Sequence, residues 1–112
     1  RNVRKEYLEI LNNLSENNEL FYITNRNEDV RFATESWMKR NRIPQRENLI
    51  MCKSKLLPIM LNNIEIIVED NIKNALELES FCRVIIVETV YNKNIPHNFE
   101  TISDFYYLKY LV

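Results

Sequence analysis

Apolar residues at Val3, Tyr7, Ile10, Leu11 and Leu14 recur at the spacing of one helix face, which predicts an amphipathic helix over residues 3–15 packed on a sheet. The Asn17-Asn18 turn ends it. Leu20-Phe21-Tyr22-Ile23 is an unbroken apolar run, as expected of a strand buried on both faces, and it gives way to Thr24-Asn25-Arg26. Val30, Ala33, Thr34, Trp37 and Met38 form a second helical stripe, and Pro44 stops its continuation. Leu49-Ile50-Met51 predicts a further strand. Residues 54–61 predict a helix in which Pro58 is tolerable only near the first turn. Ile64 to Val68 is the central strand, residues 71–80 a helix with Ile72, Ala75 and Leu76 inward, and Arg83 to Val87 another buried strand. Residues 91–96 read as a loop and residues 103–112 as a closing helix with an aromatic face.

Strand followed by helix is the repeating unit, and that alternation predicts an α/β fold, a Rossmann-like three-layer sandwich with a mainly parallel sheet and right-handed crossovers. At 112 residues the chain has room for one core, so a single domain over residues 1–112 is expected. A net charge of -1 with 28% charged residues lacks the basic excess of a protein that binds nucleic-acid polymers. No apolar run approaches a membrane span and residues 1–6 lack the apolar core of a secretory signal, so no membrane partner is expected and a cytoplasmic location is. Cys52 and Cys82 stand far apart, without Cys or His neighbours at metal-ligand spacing, and read as reduced, buried residues. The chain has no glycine, which leaves Asn12-Asn13, Asn17-Asn18 and Asn62-Asn63 to supply the turns where helical patterns end.

The candidate chemistry lies at the carboxyl ends of strands. The central strand stops on Glu69-Asp70, and paired carboxylates there suit a hard divalent cation such as Mg2+. The first strand stops on a hydroxyl, an amide and a guanidinium at Thr24-Asn25-Arg26, a set suited to phosphate oxygens. Each feature also has a plainer reading. Thr24 could cap the helix that begins near Glu28, and Glu69-Asp70 could cap the next one. Arg26 could pair with Glu28 or Asp29, and Lys53 or Lys55 could be solvated surface charge. Trp37 reads as core before it reads as a substrate platform. His97 has no nearby Ser or Cys partner, and Asn92 in a turn needs no function.

Taken in order, Thr24 after a strand, Thr34 and Trp37 in the next helix, Lys55, then Glu69-Asp70 with Asn74, then Tyr91-Asn92, resemble the haloacid dehalogenase (HAD) superfamily, especially its 5'-nucleotidase-like branch, over nearly the whole chain. The resemblance implies that Thr24 bonds the transferring phosphoryl oxygens, that Lys55 neutralises charge on a phosphoaspartyl intermediate, and that Glu69 and Asp70 complete a Mg2+ site. Asn74 would trail the acidic pair and, with Asn25, Arg26 and Asn92, contact substrate. The family's first motif, an Asp-x-Asp after the first strand, has no counterpart; the carboxylates before Thr24 are Glu6, Glu9, Glu16 and Glu19, on a helix and its turn. Without an attacking carboxylate the chain alone is expected to be inactive.

Two readings follow from that departure. In one, the chain is the carboxyl-terminal part of a longer Mg2+-dependent phosphomonoester hydrolase, an HAD-like core missing its first strand, and the start at Arg1 rather than Met favours it. In the other, it is a non-catalytic HAD-like binding or regulatory module. The expected partner is a phosphorylated small molecule, a nucleotide among the candidates. A homo-oligomer or an amino-terminal segment would cover the exposed sheet centre. A receiver-like phosphoacceptor domain also uses strand-end acids, Thr and Lys, but fits the motif order less well.

Overall fold

A computed structural model describes residues 2–112. Its strands are β1 (Tyr22–Thr24), β2 (Leu49–Met51), β3 (Ile66–Glu69), β4 (Arg83–Val87) and β5 (Glu100–Ile102). Its α-helices are α1 (Lys5–Ser15), α2 (Arg31–Arg40), α3 (Leu56–Leu61) and α4 (Ile72–Leu78), with short 3-10 segments at Glu28–Val30, Arg46–Asn48 and Phe105–Tyr110. Among the described residues every strand pairing is parallel, so the α/β class read from the alternation holds. The strands form two sheets, β1-β2 and β3-β4-β5, where the sequence predicted one. The chain divides correspondingly into two compact units, one of residues up to Lys53 with Lys109–Val112, the other Ser54–Leu108.

In the first unit, Met38, Ile43 and Leu49 are buried together, with Val3, Leu8, Leu11, Tyr22 and Trp37 packed around them. Trp37 is therefore core, as its helical spacing indicated. Polar side chains hold the backbone around this cluster. The buried Asn41 amide accepts from Val3 N at 2.9 Å and donates to Trp37 O at 2.8 Å. Gln45 accepts from Leu20 N at 2.8 Å and donates to Asn18 O at 3.0 Å, tying the α1–β1 turn to the segment that leads into β2. The Tyr22 hydroxyl donates to Pro44 O at 2.6 Å; burial, assisted by the charge of Glu47, pushes its pKa up to about 12.

In the second unit β4 is the middle strand, and Val84, Ile85 and Ile86 are buried on both faces, which is why this run was legible as a strand. β5 was not predicted: Glu100 and Thr101 are exposed and Ile102 alone is buried, so the edge strand carries almost no apolar pattern. On α4 the buried residues are Ile72, Ala75 and Leu78. Leu76, expected inward, is 56% exposed, because it lies about 100° around the helix from the middle of that stripe. The closing segment is 3-10 rather than α-helical; of its residues only Leu108 is buried, too little of a face to hold a longer helix.

The absence of glycine has a visible backbone consequence. α2 and α3 both end in Schellman caps, with Ile43 N donating to Met38 O and Ile64 N to Ile59 O, each at 3.0 Å. The left-handed residue of the second is Asn63 (φ 52°), as the Asn-for-Gly substitution anticipates, whereas the first uses Arg42 (φ 56°). Gln45 (φ 55°) is left-handed too. A Cβ in this region costs about 1 kcal/mol, partly offset by the larger unfolded-state entropy of glycine. Arg42→Gly is thus expected to stabilise the protein by roughly 0.5 kcal/mol, and Arg42→Val to destabilise it, as read by thermal unfolding.

Candidate functional site

β3 ends on Glu69, whose side chain turns back into the protein; the residue is only 4% exposed. Its Oε1 accepts from Lys55 Nζ at 2.8 Å and from Asn74 Nδ2 at 3.4 Å. Its Oε2 accepts from the backbone N–H groups of Asp70 at 3.0 Å and Asn71 at 3.2 Å. Lys55 stands at the amino end of α3, so one carboxylate joins the start of α3, the end of β3 and the start of α4. Burial works against the charged carboxylate, but the Lys55 hydrogen bond and charge, then the Asn71 and Asp70 N–H groups, outweigh it and hold the pKa below the ordinary glutamate range. α4 itself is capped by Asn71, whose side chain accepts from Asn74 N at 2.9 Å, so the acidic pair is not the helix cap.

The neighbouring acid behaves differently. Asp70 is exposed at the carboxyl end of β3. Its carbonyl accepts from Asn92 Nδ2 at 2.8 Å, and the same amide nitrogen donates to Val87 O at 2.9 Å while Asn92 Oδ1 accepts from Thr89 N at 2.9 Å. Asn92 is buried and fastens the carboxyl ends of β3 and β4 together. Lys55, Glu69, Asn74, Asp70 and Asn92 are thus assembled at one strand-end cluster of the second unit. Between the two lysines, Lys55 is the one at the cluster, and Lys53 is exposed in the first unit.

Thr24, Asn25 and Arg26 form the strand-end cluster of the first unit. Thr24 Oγ1 accepts from Arg26 N at 3.1 Å, and Asn25 Nδ2 donates to Cys52 O at 3.1 Å and Lys53 O at 2.9 Å, so the turn after β1 is bound to the segment after β2. Arg26 Nη1 donates to Thr34 Oγ1 at 3.1 Å. Glu28 instead pairs with Arg31 at 2.7 Å, and Asn27 caps the 3-10 turn, so neither Thr24 nor Arg26 has the plainer role the sequence offered it. His97 Nδ1 accepts from Phe99 N at 3.1 Å, a local turn contact. Cys52 and Cys82 are free thiols as expected, though half-buried rather than buried, and burial raises the pKa of Cys82.

In sequence the chain is similar to a protein of Clostridium acetobutylicum named a nucleotidase. The two are 32% identical over 93 residues, 81% of this chain and 48% of the relative. The chain therefore spans about half the length of the curated relative it matches. No family model matches the chain, and no solved structure matches it. Among the described residues no helix is long and apolar enough to cross a membrane.

Among the described residues no three His, Cys, Asp or Glu side chains gather into a metal-binding group. Mg2+ commonly takes only one or two carboxylates and completes its shell with water and phosphate oxygens, so the single exposed carboxylate of Asp70 is a fitting donor. Both oxygens of Glu69 already accept protein hydrogen bonds.

Removing one partner of the buried pair leaves the other charge unbalanced, and Lys55→Met and Glu69→Gln are each expected to lower stability by about 3 kcal/mol in urea unfolding. The double variant should lose less than the sum of the two. Because the folded-state pKa of Glu69 is depressed, its contribution is complete above the unfolded glutamate value of about 4.3 and is lost as pH falls through the lower folded value. The urea midpoint of the native protein should therefore drop on acidification across that window, with a smaller drop in Glu69→Gln.

Proposed function

We propose that this chain is the phosphate-handling part of a Mg2+-dependent, HAD-like phosphomonoester hydrolase of the nucleotidase type. The observation that carries the reading is the buried Lys55–Glu69 pair beside the exposed Asp70 at the ends of parallel strands, in a chain 32% identical to a nucleotidase over 93 residues. In the second unit, Asp70 would hold the metal ion, while Glu69 orients Lys55 and the backbone around Asp70. Asn74 and Asn92 position this cluster. In the first unit, the Thr24 hydroxyl and the Arg26 guanidinium offer donors to phosphoryl oxygens, with Asn25 fixing their turn. Bound Mg2+ would supply charge stabilisation for the transferring phosphoryl group.

Hydrolysis of a phosphomonoester forms a bond from an attacking oxygen to phosphorus and breaks the ester P–O bond, the leaving oxygen taking a proton. The sequence contains no Asp-x-Asp, so in this reading the attacking carboxylate and its acid–base partner come from sequence other than these residues. The same observation favours, as a second reading, a non-catalytic module that binds a phosphorylated small molecule.

Hydrolysis of a generic phosphomonoester during Mg2+ titration separates these readings, measured on the chain and on a longer protein that includes an Asp-x-Asp strand. The chain alone should be inactive and the longer protein active. Asp70→Asn in the active form should lower kcat/KM by at least about 100-fold and raise the Mg2+ requirement. Activity in the chain alone, or full activity in Asp70→Asn, contradicts the assignment.

A further inference from the structure

Every residue of α3 is apolar, and no charged residue stands between Leu56 and Ile64. A helix of that composition is ordinarily enclosed by protein on all sides. Here Pro58 and Ile59 are buried, whereas Leu57, Met60 and Leu61 are 62%, 55% and 71% exposed. Their i, i+3, i+4 spacing puts the three on one helix face. α4 runs beside α3: Ser54 Oγ donates to Glu77 Oε1 at 2.6 Å just ahead of α3, and Arg83 N donates to Glu65 O at 2.9 Å beyond the carboxyl ends of both helices. Phe81, 51% exposed, follows α4 at that end. Apolar residues scattered singly over a surface need no explanation, but an uncharged apolar face does.

We propose that two copies of this chain meet on the α3 face, Leu57, Met60 and Leu61 of one copy packing about a two-fold axis on the same three residues of the other. Charge and area select a second copy as the occupant. Identical surfaces face each other across a two-fold, so any charge on the face would meet its like, and this face carries none. With Phe81, the exposed parts of these side chains amount to roughly 400 Å2, so two copies bring together about 800 Å2 of apolar surface; at the apolar share of a homodimer interface that is about 1,200 Å2 in all, where specific association begins. Met60 is unbranched and adjusts its rotamer to a facing Met60, which eases packing at the axis. An interface of this size gives a reversible dimer of micromolar affinity. The contact uses a helix face, so it is independent of the strand-end chemistry proposed above.

The test is sedimentation equilibrium of the native chain, Leu61→Lys and Leu76→Lys over a concentration series at low and high salt. Leu76 serves as the control because it too is exposed but lies about 200° around α4 from Asn74, the side that faces Lys55 and Glu69. Both variants replace exposed side chains, and circular dichroism checks that they fold. The native chain should pass from monomer to dimer with rising concentration, and salt should not weaken the association, as an apolar contact requires. Leu61→Lys enters a two-fold interface twice and should weaken association at least about 100-fold, while Leu76→Lys leaves it unchanged. Mild oxidation should link Met60→Cys into a covalent dimer and leave the native chain, whose Cys52 and Cys82 are half-buried, unlinked. The longer protein described above should dimerise in the same way. A monomer throughout the series, equal losses in Leu61→Lys and Leu76→Lys, or failure of Met60→Cys to cross-link overturns the proposal. A dimer in the chain with a monomer in the longer protein overturns it as well, and assigns the α3 face to a contact within that protein.

Discussion

The arrangement of the second unit depends on one buried ion pair. A carboxylate taken out of water is strongly disfavoured unless nearly all its acceptor capacity is used, and Glu69 meets that condition with an ammonium, an amide and two backbone N–H groups. The length of the side chain matters. A glutamate at the last position of β3 can fold back onto the N–H groups of the next two residues, closing the strand-to-helix turn that glycine would often make. With its inner neighbour neutralised in this way, Asp70 is left as the acid that faces water. Two adjacent acids thus differ in setting, one internal and structural, the other open to solvent.

Amide side chains do elsewhere what Glu69 does there. Asn and Gln carry donors and an acceptor together, so a single side chain can satisfy N–H and C=O groups left over at strand and helix ends. Asn92 does so between β3 and β4, and Asn41 and Gln45 do so around the core of the first unit. A chain without glycine gives up the residue that most easily adopts left-handed turns. Here the turns are held by side-chain bonds, and the strain remains visible at Arg42 and Gln45.

What was legible in the sequence follows the range of the forces involved. Apolar periodicity is local, and it located β2 and β4 to the residue, while β1 and β3 begin two residues later than the apolar runs suggest. β5 escaped because an exposed edge strand needs no alternation, and the division into two sheets escaped because pairing is decided between distant segments. At the candidate site, the strand-end position of Glu69-Asp70 could be read, but not which acid is buried, since that depends on Lys55 arriving from another helix. Asn71 was legible only as the first residue of a helix; its role as cap follows the usual Asn preference, masked by the more conspicuous acids before it. Arg42 carried no signal at all, because a left-handed arginine looks like any surface arginine.

The pair also limits what Lys55 can do for a bound anion. Lys55 and Glu69 together are electrically neutral, and at 2.8 Å the ammonium's field is largely cancelled a short distance away. One ammonium N–H points to Glu69, and in the proposed chemistry the remaining donors would direct a phosphoryl oxygen, so Lys55 would contribute direction more than charge. A doubly charged phosphate at this strand end then needs its balance from a further cation, while Asp70 adds another negative charge in the same place. In the proposed chemistry a divalent ion held by Asp70 would answer both requirements, offsetting the carboxylate and supplying positive charge for the phosphate. The burial of Glu69 against Lys55 fixes the orientation of the ammonium more than it leaves free charge, and in the proposed chemistry the remaining charge balance at this end of β3 would fall to a metal ion on Asp70.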